Sequence, residues 1–314
     1  MRPQREVWGE TLARLAENDT TMVIVDGDLA NSTKADIFAA RFPERFIEVG
    51  IAEQNMVGIA FGLSTLGYRP WLSTFAVFLT HRALDPIRML LSQTQASVRL
   101  AGSYSGLLNG SSGKTHQDIE DLAIMRAMPH MVVLAPADEV EVAAMTAWAS
   151  QHEGPVYMRV ARDAVNPVFD DEYVFTLGAV HTLRRELREV FDVVLVSTGV
   201  QSSRVLDAAG LLASQGIDAR VVHVPTIKPL DGALLIAALT GAPVIVTVEE
   251  HSIIGGLGGA VSEVLTDRGD GRRVVRLGLA DAWAESGPNN FLLDKYGLSP
   301  ARVAAQVSAA IGTT

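Results

Sequence analysis

The chain has 314 residues, 20% charged side chains, no cysteine and a formal net charge of −10 at pH 7, so nucleic-acid binding, disulfide frameworks and thiolate metal sites are not expected. The charged N-terminal segment lacks the apolar core of a signal peptide, and no run of about 18 uncharged apolar residues could span a bilayer. These features predict a cytoplasmic, globular protein without membrane contact that is long enough for two domains.

Short apolar segments rich in β-branched residues alternate with amphipathic segments along the chain. The predicted strands are Met22–Asp26, Phe46–Val49, Val98–Ala101, Met131–Ala135, Val156–Val160, Val193–Ser197, Ala219–Val224, Val244–Val248 and Val274–Leu279. The predicted helices are Glu6–Ala16, Glu53–Leu66, Ala137–Ser150, Ser203–Ser214 and Gly256–Leu265. Strands that are apolar throughout are buried on both faces, so the alternation predicts an α/β protein with mainly parallel sheets and helices on both faces.

A proline and an acidic cluster interrupt this alternation at Asn166–Thr176, and a charged segment follows at Arg184–Glu189. The interruption predicts a first domain over residues 1–168, a linker over 169–190 and a second domain over 191–314, each within the usual size range. Ligands of open α/β sheets bind beyond the carboxyl ends of the strands. Candidate functional residues are therefore expected in the segments that follow strands.

The segment RFIEVGIAEQNM, from Arg45 to Met56, places Glu53 at the start of a predicted helix. The positive end of the helix dipole favours a carboxylate in the first turn, and acidic residues are common there. Local chemistry alone therefore favours a structural role for Glu53.

Two other segments combine aromatic, histidine and small polar residues. In Ser73–His81 the spacing of Phe75, Phe78 and His81 predicts that they share one helix face, where core packing is the ordinary role of paired phenylalanines. The segment Gly102–Gln117 is rich in glycine and serine and contains His116 near its end. A loop of this length in a compact domain is typically functional or disordered.

Several segments resemble, in chain order, landmarks of the transketolase family. They are EVGIAEQNM from Glu48, STFAVF from Ser73, GKTHQDIEDL from Gly113 and VEEHSIIGGLGGAVSE from Val248. The ending AESGPNNFLLDKYGLS, from Ala284, is similar to the close of split transketolases encoded as two chains. The resemblance covers nearly the whole chain. It implies a pyrimidine-binding domain followed by the family's C-terminal domain, in the second subunit of a split thiamine diphosphate enzyme.

The resemblance implies roles for individual side chains. Glu53 matches the glutamate that hydrogen-bonds N1′ of the cofactor's aminopyrimidine ring and so takes part in general acid–base catalysis. Phe75 and Phe78 match the aromatic wall against this ring, with Phe78 in the stacking contact. His116 matches a histidine that reaches the substrate oxygen or the reacting carbon. Glu53 and His116 are thus the expected catalytic residues.

Other positions depart from the family or have an ordinary alternative. Asp28 matches an aspartate near the thiazolium ring, but it could equally be a common loop carboxylate. His81 stands at a cofactor-binding position where transketolases usually carry a tyrosine. Tyr104 and Ser112 stand where the family has a histidine and an aspartate that recognise the hydroxyl groups of the sugar donor. The resemblance therefore leaves the donor open.

Three positions match the family's pocket for the phosphate group of a sugar phosphate: Arg5, Ser32 and Arg162. Singly, they could be a solvated terminal charge, a helix cap and a member of a surface ion pair. Together, two guanidinium groups and a hydroxyl suit a phosphate dianion, which arginine binds in bidentate fashion. Sugar phosphates are therefore the expected substrates.

The family's ligands for the diphosphate and the divalent metal are not found in this chain. Asp26–Asp28 reads D-G-D where the family motif is G-D-G, and Asn289–Asn290 lies in the other half. The resemblance therefore implies no metal site in this chain, with Mg²⁺ or another divalent ion held by a separate N-terminal, diphosphate-binding subunit. It also implies an α2β2 heterotetramer in which thiamine diphosphate lies between the two kinds of subunit.

Two alternatives to ketol transfer remain open. The β-subunit of a 2-oxoacid dehydrogenase, or of a specialised acyl- or ketol-transferring complex, shares both domain types. An oxoacid enzyme would not need Arg5, Ser32 and Arg162 together. A non-catalytic partner subunit would keep the fold, but it would have no physical need for Glu53.

Overall fold

Two mainly parallel sheets organise residues 1–312, the part of the chain that the computed structural model describes. The first has the order β10-β5-β6-β4-β3-β1-β2 and contains β1 (Met22–Asp26), β2 (Phe46–Glu48), β3 (Arg69–Phe75), β4 (Arg99–Ser103), β5 (Val132–Leu134), β6 (Val156–Val160) and β10 (Thr226–Lys228). The second has the order β12-β11-β8-β9-β7 and contains β7 (His181–Arg184), β8 (Val193–Ser197), β9 (Ala219–His223), β11 (Val244–Ser252) and β12 (Arg273–Leu279). Within these residues only β7 and β10 run antiparallel to their neighbours.

Helices connect most of these strands. They are α1 (Gln4–Leu15), α2 (Ala30–Thr33), α3 (Asp36–Arg41), α4 (Glu53–Thr65), α5 (Leu84–Pro86), α6 (Asp121–Ala127), α7 (Glu139–Gln151), α8 (Gln201–Ser214), α9 (Gly232–Ala238), α10 (Leu257–Asp267), α11 (Asn289–Lys295) and α12 (Pro300–Ile311). A 3₁₀ turn covers Pro43–Arg45, and π-helical turns cover Phe78–Arg82 and Ile87–Ser92. Among the described residues, no helix is long and apolar enough to cross a membrane.

Helices cover both faces of the first sheet. Ile24 and Val25 are consecutive residues of β1, and both are almost completely buried. Ile24 packs in a cluster with Trp8 of α1, whereas Val25 packs in a different cluster with Met56 of α4. Because neighbouring side chains of a strand point to opposite faces, helices α1 and α4 lie on opposite sides of the sheet.

The second sheet is covered in the same way. Leu195 of β8 belongs to a cluster with Val205 of α8, and the next residue, Val196, belongs to a cluster with Val261 of α10. The continuous burial of β8 follows from its VVLVS sequence, which offers apolar or small side chains to both faces. The predicted α/β fold with two mainly parallel, helix-covered sheets is therefore confirmed.

Strand β3 was not predicted, and its neighbourhood corrects one expectation. Phe75 is the last residue of β3, and Phe78 and His81 lie in the following π-helical turn, so the three side chains do not share one helix face. The polar residues Ser73 and Thr74 interrupt the apolar pattern of the strand, although both are fully buried in the sheet. The pattern of apolar residues in this segment therefore did not indicate a strand.

The first half of the chain (residues 1–168) and the second half (residues 191–314) are joined by more than the predicted linker. Strand β10 comes from the second half but pairs with β5 at the edge of the first sheet. Within residues 169–190, Phe175 packs in the core of the first half, and β7 pairs with β9 in the second sheet. The domain limits 1–168 and 191–314 stay a prediction.

The carboxyl ends of β1, β3, β4 and β6 lie at the same edge of the first sheet, because these strands run parallel. The segments that continue from them begin at Gly27, Ala76, Tyr104 and Ala161. Helix α1 is attached to the same edge, since the backbone N–H of Arg5 donates to the carbonyl oxygen of Ala161 at 3.3 Å. This edge collects most of the residues selected from the sequence.

Candidate active site

Glu53 begins helix α4, as predicted, and its side chain is fully buried. Nη1 of Arg82 donates hydrogen bonds to both carboxylate oxygens, at 2.6 Å to Oε1 and 2.7 Å to Oε2. The guanidinium carbon of Arg82 lies 4.5 Å from the centre of the Phe78 ring. One arginine therefore connects the buried carboxylate to an aromatic face, through an ion pair on one side and a cation–π contact on the other.

Aromatic side chains from three separate segments gather beside this pair. The rings of Phe75 and Phe78 are stacked with their centres 5.9 Å apart. The His116 and Phe78 rings are nearly perpendicular with their centres 5.4 Å apart, and the centres of the Tyr104 and Phe75 rings are 4.4 Å apart. Rings at these separations attract one another beyond simple burial. The predicted aromatic wall and the predicted catalytic histidine are thus in direct contact.

Tyr104 connects the aromatic cluster to two arginines. Its hydroxyl accepts a hydrogen bond from Nη1 of Arg5 at 2.6 Å. The guanidinium carbons of Arg5 and Arg162 lie 5.6 Å and 5.4 Å from the centre of its ring. Its backbone has φ of +59°, a left-handed conformation that is uncommon for a tyrosine and costs of the order of 1 kcal/mol. The fold therefore holds this ring close to both cations under some backbone strain.

The two arginines differ in their pairing from others at this edge. Arg159 pairs with Asp121, and Arg204 pairs with Glu250. Neither Arg5 nor Arg162 forms an ion pair with a carboxylate of the described residues. Two guanidinium groups without an acidic partner leave positive charge available for an anion.

Ser32 was expected to contribute its hydroxyl to the anion site. In the structure it contacts the site through its backbone carbonyl. Its carbonyl oxygen accepts hydrogen bonds from Arg5 at 2.8 Å and from the Tyr104 hydroxyl at 3.3 Å. Its own hydroxyl donates to Oδ1 of Asn31 at 3.2 Å. Ser32 therefore orients Arg5 and Tyr104 through its backbone.

Two selected residues stand apart from the contacts described above. The hydroxyl of Ser112 donates to Oδ1 of Asn109 at 3.0 Å, within the same loop. Asp28 is exposed, has φ of +64°, and its backbone N–H donates to Oε1 of Glu48 at 3.0 Å. Among the described residues, neither the carboxylate of Asp28 nor the hydroxyl of Ser112 forms a hydrogen bond with the aromatic cluster.

His81 faces two carboxyl groups. Its Nε2 lies 3.2 Å from Oε1 of Glu120 and 3.9 Å from Oδ1 of Asp118. Asp118 is fully buried, and the hydroxyl of Thr80 donates to its Oδ2 at 2.6 Å. Burial, and then the neighbouring carboxylate Asp121, raise the pKa of Asp118 to about 7. The position where transketolases usually carry a tyrosine thus holds an imidazole beside two carboxyl groups.

Arg82 and Asp118 were missed by sequence reasoning. A signal for Arg82 was present, because an arginine four residues after Phe78 lies one helical turn away from that ring. No comparable local signal existed for Asp118. Its burial depends on the approach of Thr80 from a segment 38 positions earlier in the chain.

Two family models match the chain. The family model "Transketolase, pyrimidine binding domain" matches residues 2–167. The model "Transketolase, C-terminal domain" matches residues 184–303. The chain belongs to the transketolase family. The resemblance seen in its sequence motifs is thereby confirmed.

Relatives of similar length within the transketolase family have names that describe part of an enzyme. The "putative transketolase C-terminal section" of Methanocaldococcus jannaschii is 37% identical, with 96% of this chain and 94% of the relative covered. The "6-deoxy-6-sulfo-D-fructose transketolase subunit" of a Clostridium species is 34% identical, with 94% and 90% covered. A solved structure described as a "split gene transketolase, inactive beta4 tetramer" has a TM-score of 0.90 and 40% identity, with 99% of both chains covered.

Proposed function

We propose that this chain is the second subunit of a split transketolase, which transfers a two-carbon ketol unit from a ketose phosphate to an aldehyde with thiamine diphosphate as cofactor. One observation carries the proposal. A continuous series of side-chain contacts runs from the buried carboxylate of Glu53, through Arg82 and the aromatic rings, to the unpaired guanidinium groups of Arg5 and Arg162. Such a series could hold a flat cofactor ring at one end and an anionic sugar at the other.

The side chains present fit the aminopyrimidine half of thiamine diphosphate. A buried carboxylate offers a hydrogen-bond partner for a ring nitrogen, and the adjacent phenylalanines offer apolar faces for the ring. The acidic and histidine side chains of residues 1–312 form no group of three or more that could hold a metal ion. We assign the diphosphate and Mg²⁺ ligands to a separate N-terminal subunit, in a proposed α2β2 assembly.

Bound thiamine diphosphate supplies an activated carbon that carries the two-carbon unit between donor and acceptor. Glu53 would hold a proton at the pyrimidine nitrogen, and Arg82 would orient and partly neutralise its carboxylate. Phe75 and Phe78 would pack against the cofactor ring and exclude water from it. His116, at the edge of Phe78, would donate a hydrogen bond to the reacting oxygen.

The anionic group of the substrate would bind between Arg5 and Arg162. The name of the Clostridium relative indicates a sulfonated sugar for that protein, and phosphate and sulfonate both suit paired guanidinium groups. Tyr104 would contact the substrate beside these groups, whereas the hydroxyl of Ser112 is directed to Asn109. Sugar phosphates are therefore the first substrates to test, followed by sulfonated sugars.

The anion site also bears on the alternatives. A 2-oxoacid dehydrogenase β-subunit acts on a small acid and would not need two guanidinium groups without carboxylate partners beside Tyr104. A non-catalytic partner subunit would have no use for a fully buried carboxylate at the start of α4, which costs free energy to desolvate. Both features support ketol transfer in preference to these alternatives.

Calorimetric titration of thiamine diphosphate with Mg²⁺ tests the proposal. The cofactor is titrated into this chain alone, into the candidate N-terminal subunit alone, and into their mixture, and ketol transfer from a ketose phosphate is then assayed in all three. Binding and turnover in the mixture only are expected. Appreciable turnover by this chain alone, or a mixture that binds cofactor without ketol transfer, would contradict the proposed function.

A further inference from the structure

The loop between β4 and α6 carries both Tyr104 and His116, so its position determines where these side chains meet a substrate. Its glycine- and serine-rich sequence suggests mobility, but its backbone is held at several points. The carbonyl oxygen of Val160 in β6 accepts the backbone N–H of Tyr104 at 2.9 Å. Further groups that hold the loop come from the second half of the chain, outside the pyrimidine-binding region. We call residues 104–117 the site loop.

Glu250, in β11, fixes the first part of the site loop. Its Oε1 accepts hydrogen bonds from the backbone N–H groups of Leu107 at 2.9 Å and Leu108 at 3.2 Å. Its Oε2 accepts a hydrogen bond from Nη1 of Arg204 at 3.1 Å, and the Glu250 side chain is almost fully buried. Hydrogen bonds to a buried, charged acceptor are among the stronger ones in proteins.

Asn289, the first residue of α11, fixes the middle of the site loop. Its Oδ1 accepts from the backbone N–H of Gly110 at 3.1 Å, and its Nδ2 donates to the carbonyl oxygen of Leu108 at 3.1 Å. The backbone N–H of Gly287 donates to the carbonyl oxygen of Gly110 at 2.9 Å. The amide side chain therefore binds the loop as donor and as acceptor, and its Nδ2 also donates to the carboxylate of Asp163, next to Arg162.

The loop glycines are placed where the second half approaches most closely. A Cβ atom at Gly106, where φ is +81°, would lie 2.5 Å from Oε1 of Glu250. Cβ atoms at Gly110 and Gly113 would overlap the carbonyl oxygen of Gly287 and the hydroxyl of Ser286. The glycine content thus permits close docking of the loop, rather than only adding flexibility.

We propose that Glu250 and Asn289 are positioning residues for the substrate site. By fixing the site loop from the second half of the chain, they set the places of Tyr104 and His116 relative to Arg5. This inference rests on the proposed function of the site, because it assigns substrate affinity to contacts that lie outside the pyrimidine-binding region.

A purely structural role makes a different prediction. It would lower the stability of the fold and affect cofactor and substrate alike. A positioning role raises KM for the anionic substrate more than the dissociation constant for thiamine diphosphate, because the site loop reaches the expected cofactor residues only where Tyr104 and His116 pack on Phe75 and Phe78. The split between these two affinities therefore separates the explanations.

The first test compares N289A with N290A in the reconstituted complex. Asn290 is the adjacent, exposed amide, so its replacement is a matched control. N289A is expected to raise KM for a ketose phosphate about fivefold or more, with the dissociation constant for thiamine diphosphate within about twofold. N290A is expected to change neither value. Equal effects of the two substitutions, or an unchanged KM in N289A, would overturn the proposal.

The second test uses E250Q and E250A. Glutamine keeps an oxygen that can accept from Leu107 and Leu108, so E250Q is expected to retain most of the substrate affinity that E250A loses. E186Q is the control, because Glu186 also pairs with an arginine in the second half but does not contact the loop. Equal loss of affinity in E250Q and E250A would show that the hydrogen bonds to the loop are not responsible.

Hydrogen–deuterium exchange of the chain without partner or cofactor gives a readout that does not depend on activity. N289A and E250A are expected to speed exchange at the backbone amides of the site loop, while the amides of α4 stay protected. Unchanged exchange in both variants would overturn the inference even if ketol transfer is demonstrated. Absent ketol transfer in the wild-type complex would refute the proposed function, and the exchange data would still decide whether these residues hold the loop.

Discussion

Glu53 and Arg82 form an ion pair in which one nitrogen, Nη1, donates to both carboxylate oxygens. The carboxylate is fully buried, whereas the arginine side chain is 44% exposed. The exposed partner can therefore move without unfolding the helix that carries the buried one. The partner of the buried carboxylate is thus itself partly open to solvent.

Replacement of Glu53 by glutamine should abolish turnover of the reconstituted complex and leave assembly intact. Glutamine has nearly the same shape but cannot exchange a proton with a ring nitrogen, so a loss of at least about 100-fold in kcat is expected. Initial rates and size-exclusion chromatography measure the two properties. E44Q, at an exposed glutamate, is the control. Unchanged turnover in E53Q would refute the role assigned to Glu53.

Replacement of Arg82 by alanine should lower stability, because it leaves the Glu53 carboxylate buried without a partner. A loss of roughly 1–3 kcal/mol in the free energy of unfolding is expected from such a buried, unpaired group. Urea denaturation of R82A, E53Q and the double variant gives the coupling. If the ion pair is responsible, the double variant loses less stability than the two single variants together. A loss of stability in the double variant equal to the sum of the two single losses would contradict the role of the ion pair.

Replacement of Arg162 by alanine should weaken the binding of substrates that carry a phosphate group. KM for a ketose phosphate is expected to rise about 10- to 100-fold, whereas KM for an unphosphorylated ketose stays unchanged, because the lost interaction is with the anionic group. Steady-state kinetics on both substrates measures the difference. R41A is the control, since Arg41 is exposed and pairs with Glu17. An equal rise for both substrates would place Arg162 outside the anion site.

Replacement of Asp118 by asparagine should change how stability depends on pH. The pKa of Asp118 rises from 3.8 to about 7 on folding, so the folded state favours the protonated form. The stabilisation from this proton is complete below the unfolded pKa and is lost as pH rises through about 7. D118N should therefore be more stable than wild type by about 4 kcal/mol at pH of about 8, with little difference at pH of about 4.

Denaturant unfolding at the two pH values measures this effect, and D171N, at an exposed aspartate, is the control. Asp121 and Arg159 influence the charge of Asp118, and His81 lies near it. All three remain in the variant. An unchanged difference between D118N and wild type across this pH range would show that Asp118 is not the titrating group.

Where apolar residues run continuously, the sequence predicts the fold closely. The predicted strands Met22–Asp26, Val156–Val160 and Val193–Ser197 coincide with β1, β6 and β8. Each consists mainly of residues that suit burial on both faces. Strand β3 was missed because Ser73 and Thr74 are polar, and their burial depends on neighbouring strands that no local pattern reveals.

The candidate site was predictable in its residue types but not in its contacts. Motif resemblance selected Glu53, Phe78 and Tyr104, which the fold brings into one series of contacts. The pairing of Glu53 with Arg82 depends on two segments 29 positions apart. The contacts of the Ser32 backbone carbonyl with Arg5 and Tyr104 could not be predicted either. Every residue has a backbone carbonyl, so the sequence pointed only to the hydroxyl of the serine.

The pairing of β10 with β5 makes the two halves of the chain interdependent. A gene truncated after residue 168 would encode a first sheet whose β5 edge has lost its antiparallel neighbour. Unpaired sheet edges invite association with other chains, so such a fragment would tend to aggregate. Recombination that exchanges second halves between relatives would have to preserve this short strand.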